Sequence, residues 1–131
     1  MPDAAVAALR TLKPKPPASV ILIAGGTDKG LDFSGLAREI VMSVSHVILF
    51  PGNATDKLKS EILKVRVKAK KIIIHDACSM KEAVHTARNL AKKGDIVLLS
   101  PGAASFGLFQ NEFDRGRQFV REVLLLRKSA Y

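Results

Sequence analysis

The sequence predicts an α/β, Rossmann-like fold in which a mostly parallel sheet has helices on both faces. Short apolar runs alternate along the chain with segments whose apolar residues recur every three or four positions, and this alternation is typical of βαβ units. The apolar runs are continuous, as expected of strands buried on both faces. The length of 131 residues suits one domain with its own core.

The first segment, residues 1–19, is predicted to be a short helix followed by a Pro-rich linker, and residues 20–131 to form the domain proper. Pro2 suits the first turn of a helix over residues 2–12. Residues 13–17 read Lys-Pro-Lys-Pro-Pro, a run that cannot be helical.

The first strand is predicted at residues 20–24, where an apolar run ends at Gly25 and Gly26. Asp32 is expected to be the N-cap of the helix that follows. The apolar side chains of that helix recur at helical spacing, and its buried face is predicted to comprise Phe33, Leu36, Ala37, Ile40, Val41 and Val44.

The second and third strands are predicted at residues 47–50 and 71–74, with a helix between them over residues 55–63. The sequence Pro-Gly-Asn at residues 51–53 ends the second strand. Residues 65–68 alternate weakly, which leaves either a poor edge strand or a loop.

The clearest helix is predicted over residues 79–92. Ser79 and Glu82 have the spacing of a capping box, and Gly94 suits the helix end. Residues 96–99 form the fourth predicted strand. A last helix is expected after an asparagine N-cap at position 111, and its inward face is predicted to carry Phe113, Gly116, Val120, Val123 and Leu124.

Composition excludes several classes of protein. With 47% hydrophobic and 25% charged residues, the chain is not a disordered tail, and no apolar run is long enough to span a bilayer. The chain shows no secretion signal and its lone Cys78 cannot form an internal disulfide, so a cytoplasmic location is expected. The net charge of +9 favours anionic partners, but the basic stretch over residues 57–71 lacks interleaved aromatic residues. Nucleic-acid binding is therefore the weaker interpretation, and a solvated surface the better one.

Ligands of an open parallel sheet bind at the carboxyl ends of its strands. This rule selects four loops, at residues 25–32, 51–54, 75–79 and 100–111, and the first and the last of them carry candidate ligand-binding groups. In residues 25–34, three glycines allow close approach of a ligand, and Lys29 adds a positive charge. Neither standard phosphate motif is present, so an anion site and a tight turn with solvated Lys29 and Asp28 both stay open. In residues 100–107, Ser105 offers a hydroxyl donor, although a structural turn is the simpler interpretation.

The three histidines and the cysteine are too scattered in the sequence to predict a metal site. His46 is predicted to be a surface residue, and His85 to lie on the exposed side of its helix. His75 would either be oriented as a base by Asp76 or form an ordinary hydrogen-bonded pair with it. Cys78 has no evident histidine partner, so no catalytic residue is assigned.

Two motifs resemble the C-terminal domain of the Mur ligases. Residues 25–33 (Gly-Gly-x-Asp-Lys-Gly-x-Asp-Phe) are similar to its glycine-rich loop. Residues 98–106 (Leu-Leu-Ser-Pro-Gly-Ala-Ala-Ser-Phe) and 109–116 (Phe-x-Asn-x-x-x-Arg-Gly) are similar to its last strand and helix. Together they resemble the branch of the family that adds D-glutamate, because the Asp-Asn-Pro-Arg motif of the lysine- and diaminopimelate-adding branches is absent. The resemblance covers residues 20–125, and it implies that residues 1–19 are an interdomain helix and linker.

The resemblance implies an amino-acid-binding domain of an ADP-forming ligase in peptidoglycan synthesis. A carboxylate is phosphorylated, and the amine of D-glutamate then attacks the acyl phosphate. The full-length enzyme would use ATP and Mg²⁺, bound mainly by a central domain that this chain lacks, with UDP-N-acetylmuramoyl-L-alanine as the other substrate. This domain alone would hold no cofactor and would be inactive.

The resemblance also implies a D-glutamate site on this chain. Lys29 would pair with a carboxylate of D-glutamate, Ser105 would hydrogen-bond one, and Phe106 would contribute backbone contacts. Thr27 and Asp28 belong to the same loop, and Thr27 stands where some members have an acidic residue. An aromatic residue common near the start of the family's last helix falls on Glu112 or Phe113, so Phe113 completes the implied site. The alternative, from the same loops, is a free-standing anion- or nucleotide-binding α/β module.

Overall fold

A computed structural model describes residues 2–26, 30, 32–65, 72–100, 108–109 and 111–129. The four strands are β1 (Val20–Gly25), β2 (Val44–Phe50), β3 (Ile73–Asp76) and β4 (Ile96–Leu99). All of their pairings are parallel, in the order β3-β2-β1-β4. The five helices are α1 (Pro2–Thr11), α2 (Ser34–Ser43), α3 (Asn53–Val65), α4 (Met80–Leu90) and α5 (Glu112–Ser129). The predicted α/β class is confirmed.

The sheet separates two apolar cores. Every residue of the central strand β1 is buried. Leu22 packs on one side into a core formed with α1, α2 and α3, whereas its neighbours Ile21 and Ile23 pack on the other side with α4 and α5. Successive side chains of a strand point to opposite faces, and this two-sided burial is why β1 is apolar along its whole length.

Helix α1 packs against the rest of the fold. Ala5 and Leu9 are fully buried in the core that α2 and α3 also line. Arg10 adds an ion pair at 3.3 Å to Glu39 of α2. The division of the chain into an interdomain segment over residues 1–19 and a domain after it stays a prediction.

Several predicted element ends were wrong by a few residues. Strand β2 begins at Val44, which was expected on α2, and β3 lies two residues later than predicted. Phe33 is the N-cap of α2, while Asp32, one residue earlier, accepts the backbone N–H of Ser34 at 2.9 Å. Residues 66–71 lie outside the described part of the chain, so the weakly alternating segment is tested only at Val65, which ends α3.

Helix α4 shows the predicted start but an earlier end. The Ser79 hydroxyl accepts the N–H of Glu82 at 3.1 Å, and the Glu82 carboxylate accepts the N–H of Cys78 at 3.0 Å. The helix ends at Leu90 with Ala91 in extended conformation. Gly94, at φ +90°, therefore forms the turn into β4 rather than the helix end.

The predicted inward face of α5 was wrong. Four of the five residues assigned to it are exposed, at 42–70% of their surface: Phe113, Val120, Val123 and Leu124. The residues that pack against the core are Phe119 and Leu126, with Arg115 buried one turn before Phe119. Helix α5 is thus rotated relative to the prediction.

In the described part of the chain, no helix combines the length and the hydropathy that a membrane span would require.

Candidate functional site

The loop after β1 and the loop after β2 are in direct contact at the carboxyl edge of the sheet. Gly25 pairs with Phe50 at the ends of the two strands. The Gly26 carbonyl accepts the N–H of Ala54 at 3.0 Å. Gly25, Gly26 and Gly52 all have positive φ, at 102°, 123° and 148°. The backbone of the glycine-rich loop therefore lies against the β2–α3 turn, and the close approach of a ligand to this loop stays a prediction.

Side chains at two of these glycines would collide with the neighbouring loop. A Cβ on Gly25 would meet the hydroxyl of Thr55, and a Cβ on Gly52 would meet the carbonyl group of Gly26. Glycine is therefore required here by space as well as by backbone conformation.

Thr55 is the buried side chain that joins the two loops, and no sequence motif marks it. Only 3% of its surface is exposed. Its hydroxyl donates to the carbonyl of Phe50 and accepts the N–H of Gly26 at 3.3 Å. One hydroxyl thereby satisfies both a strand-end carbonyl and a loop amide, as buried polar groups require.

Replacing Thr55 with valine is expected to lower the free energy of unfolding by about 1–3 kcal/mol, because a buried amide and a buried carbonyl lose a partner while the volume is kept. Urea unfolding followed by circular dichroism measures this difference. Thr11→Val is the matched control, since its exposed hydroxyl bonds only the preceding turn of α1. Equal losses in the two variants would contradict the role given to Thr55.

Strand β4 brings the second motif to the same edge. Ser100 follows β4, is buried, and donates its N–H to the carbonyl of Ile23 at 2.7 Å. The first and second motifs therefore leave the sheet from adjacent strands, β1 and β4. This confirms that the two loops selected from the sequence start side by side.

The space around the strand ends is divided into a small cavity and an open groove. The cavity, bordered by Gly25, Phe33 and Ser100 among others, has about 10 Å³, so it has room for no more than about one water molecule. The groove of about 370 Å³ lies between the start of α2 and α3. Its lining residues are Asp32, Phe33, Asp56, Lys57, Ser60 and Glu61.

The groove is unsuited to an anion. It combines three carboxylates with one lysine. The backbone N–H of Ser34 lowers the pKa of Asp32, with further help from the Ser34 hydroxyl and from Arg38, so this carboxylate is ionised at neutral pH. A dicarboxylate would meet repulsion there.

The start of α5 is fixed by packing and by a cap. The predicted N-cap is confirmed: Asn111 accepts the N–H of Asp114 on its Oδ1 at 2.8 Å. Phe109 is buried and packs edge-on against Phe50, with ring centroids 5.3 Å apart and planes at 77°. Phe113, one turn later, is 70% exposed.

Most of the implied D-glutamate site lies outside the described residues. This holds for Thr27, Asp28, Lys29, Ser105 and Phe106. Phe113 is the member that the structure describes, and its exposure leaves its ring available for a contact with a ligand or with another part of a larger protein. Their role in binding D-glutamate stays a prediction.

The histidine expectations need correction. His46 lies within β2 and is half-buried, because the strand begins earlier than predicted. His75 contacts His46, with Nδ1 of His46 and Nε2 of His75 3.1 Å apart. Asp76 faces the other way and forms an ion pair with Lys59 at 2.8 Å, so it does not orient His75. The predicted exposure of His85 is confirmed.

The chain is similar in sequence to a family of known proteins. The sequence model of a family described as "Mur ligase, glutamate ligase domain" matches residues 1–103. The chain is 48% identical over 126 residues to the UDP-N-acetylmuramoylalanine--D-glutamate ligase of Roseiflexus sp. (strain RS-1), a match that covers 93% of the chain and 25% of that protein.

Two further relatives carry the same name. The ligase of Porphyromonas gingivalis (strain ATCC 33277) is 50% identical over 107 residues, covering 82% of the chain and 22% of that protein. The ligase of Caldanaerobacter subterraneus subsp. tengcongensis is 39% identical over 127 residues, covering 97% of the chain and 27% of that protein. The chain spans about a quarter of the length of these curated relatives.

Proposed function

The chain belongs to the Mur ligase family, within its glutamate ligase domain, and from this premise we propose that it is the amino-acid-binding domain of an ATP-dependent ligase. The proposed reaction joins D-glutamate to UDP-N-acetylmuramoyl-L-alanine in peptidoglycan synthesis. The names of the relatives support this choice of substrate. A cytoplasmic location, expected from the lone cysteine, is part of the same proposal.

The proposal rests on one observation: the two family motifs follow neighbouring strands at the carboxyl edge of the sheet. The glycine-rich motif leaves β1 and the second motif leaves β4, and these strands are neighbours. Lys29 follows Gly26 by three residues and Ser105 follows Ser100 by five. A cation and a hydroxyl donor are thus tethered close to one edge, which suits recognition of a dicarboxylate.

In this proposal the domain positions D-glutamate rather than reacting with it. Lys29 pairs with one carboxylate and Ser105 hydrogen-bonds a carboxylate, while the exposed ring of Phe113 covers the bound amino acid. The amine is then held in position to attack the acyl phosphate. Holding two reactants close together and correctly oriented accounts for much of the rate gain in such a step. Closure of the site against the remaining domains excludes water.

We assign ATP and Mg²⁺ to the part of the full-length protein outside this chain. Among the described residues, no three or more His, Cys, Asp or Glu side chains converge on a common point. Mg²⁺ requires oxygen ligands in near-octahedral geometry and is usually shared between carboxylates and phosphates. When bound, ATP supplies the phosphoryl group that activates the carboxylate.

Lys29→Ala in the full-length ligase is expected to raise KM for D-glutamate by about 10–100-fold, because a hydrogen bond to a charged group contributes about 1.5–3 kcal/mol. KM for ATP should stay unchanged. Steady-state release of ADP at varied D-glutamate concentration measures both constants.

Two variants sharpen the Lys29 experiment. Lys29→Arg keeps the positive charge and should recover part of the affinity. Lys93→Ala removes an exposed lysine from the turn before β4, at the opposite edge of the sheet, and should leave KM for D-glutamate as it is. An unchanged KM in Lys29→Ala, or an equal rise in Lys93→Ala, would remove Lys29 from the site.

A further inference from the structure

The contact between His46 and His75 is a feature of the fold that the proposed function does not use. Nδ1 of His46 and Nε2 of His75 are 3.1 Å apart, the ring centroids are 5.2 Å apart, and the ring planes are inclined at 38°. The two residues are separated by 29 positions in the sequence. Their spacing therefore gave no sign of the pair.

The parallel register of β2 and β3 creates this pair. His46 lies opposite Ile73 and His75 lies opposite Ile48, so the histidines are diagonal neighbours on one face of the sheet. Strand β3 is the edge strand, and both rings are half-buried. A small ion can thus reach the pair from solvent while the backbone of two hydrogen-bonded strands holds the rings in place.

The separation of the two nitrogen atoms matches that of neighbouring ligands on a metal ion. With metal–nitrogen bonds of 2.0–2.1 Å, two imidazole nitrogens lie about 2.9 Å apart at a right angle and about 3.3 Å apart at the tetrahedral angle. The observed 3.1 Å falls between these values. Both rings must rotate out of their mutual hydrogen bond to aim their lone pairs at one point.

Two charged side chains, Asp95 and Lys92, lie close enough to His46 to act on it electrostatically. The Asp95 carboxylate accepts the N–H groups of Ser19 and Lys92, each at 2.8 Å. It therefore places a fixed negative charge near a bound cation.

We infer that His46 and His75 form a two-histidine binding site for a divalent transition-metal ion of the Zn²⁺ class. Imidazole suits Zn²⁺, Ni²⁺ and Cu²⁺, whereas Mg²⁺ prefers oxygen ligands. Water occupies the remaining coordination positions. When the ion binds, the ring that donates the proton in the histidine pair shifts that proton to its own other nitrogen, which frees a lone pair on each of the two facing nitrogens.

This site is independent of the proposed ligase function. His46 precedes Phe50, at the carboxyl edge, by four residues of strand, or about 13 Å. A bound ion would join the edge strand β3 to β2 and would therefore act on the stability of the sheet edge. An experiment that contradicts the metal site would therefore not contradict the proposed ligase function, and the reverse also holds.

Isothermal titration calorimetry with ZnCl₂ at neutral pH tests the site, using the untagged 131-residue chain with Cys78→Ser to remove its exposed thiol. We expect one Zn²⁺ per chain and no heat of binding with MgCl₂. His46→Gln and His75→Gln should each weaken Zn²⁺ binding by about 10–100-fold or more. Removing a residue that only hydrogen-bonds a metal ligand already has an effect of that size, and these variants remove a ligand itself. His85→Gln, at an exposed histidine, should leave it unchanged.

Nitrogen-15 spectra of the histidine rings keep the test decisive if a variant fails to fold. In the chain with both histidines, Zn²⁺ should shift the signals of His46 Nδ1 and His75 Nε2 together and leave those of His85 in place. Unshifted signals of the pair, binding that persists in both glutamine variants, or binding that depends on His85 would overturn the inference.

Discussion

Replacing Gly52 with alanine is expected to lower the free energy of unfolding by about 2–6 kcal/mol, from backbone strain together with overpacking. Gly52 has φ +148°, which L-residues rarely adopt. Its new Cβ would also overlap the carbonyl group of Gly26. That carbonyl cannot move away freely, because it accepts the N–H of Ala54 at 3.0 Å. Urea unfolding of the chain followed by circular dichroism measures the loss.

Gly35→Ala is the matched control for Gly52→Ala. Gly35 is in helix α2, and the nearest atom to its added Cβ is the end of the Arg38 side chain at 4.0 Å. Alanine there should raise the free energy of unfolding by about 0.5–1 kcal/mol, the usual difference between the two residues in a helix. A Gly52→Ala variant as stable as the parent chain would show that the two loops are not in contact.

The strands were predictable because burial on both faces produces a continuous run of apolar residues in the sequence. A strand covered on both faces must be apolar at every position, and β1 and β4 carry such runs; β4 was predicted to the residue. The start of α4 was predictable for a similar reason, since Ser79 and its capping partner are three residues apart. Interactions between residues close in sequence can be read from the sequence.

The orientation of α5 was not predictable from periodicity. Residues 123–126 are Val-Leu-Leu-Leu, and four consecutive apolar residues cover more than one face of a helix. Two apolar stripes therefore compete, one through Phe113 and one through Phe119. The fold selects the second, which also buries Arg115, a charged residue that a hydrophobicity pattern assigns to solvent.

The connections of the candidate site were hidden for a different reason. The Gly26–Thr55 and His46–His75 contacts each join residues 29 positions apart. Each depends on the register of paired strands, which no local pattern specifies. The sequence could place the two glycine- and serine-containing loops at one edge of the sheet, because parallel topology alone does so. The sequence could not identify Thr55 as the side chain that hydrogen-bonds the glycine-rich loop to the end of β2.

Phe109→Ala is expected to lower the free energy of unfolding by about 3–5 kcal/mol, the usual loss for a phenylalanine in a core. Phe109 is 6% exposed and packs edge-on against Phe50 at the end of β2. The truncation would leave a cavity between the start of α5 and the carboxyl edge. The same urea unfolding experiment measures it.

Phe113→Ala makes the Phe109 experiment a test of the site as well as of the core. Phe113 is 70% exposed, so its truncation should change the free energy of unfolding by no more than about 0.5 kcal/mol. Equal losses for the two phenylalanines would mean that α5 has the orientation predicted from the sequence, with Phe113 inward. If only Phe109→Ala destabilises the chain, a rise in KM for D-glutamate in the full-length Phe113→Ala variant cannot come from unfolding, and the exposed ring must act on the amino acid or on the domain that closes over it.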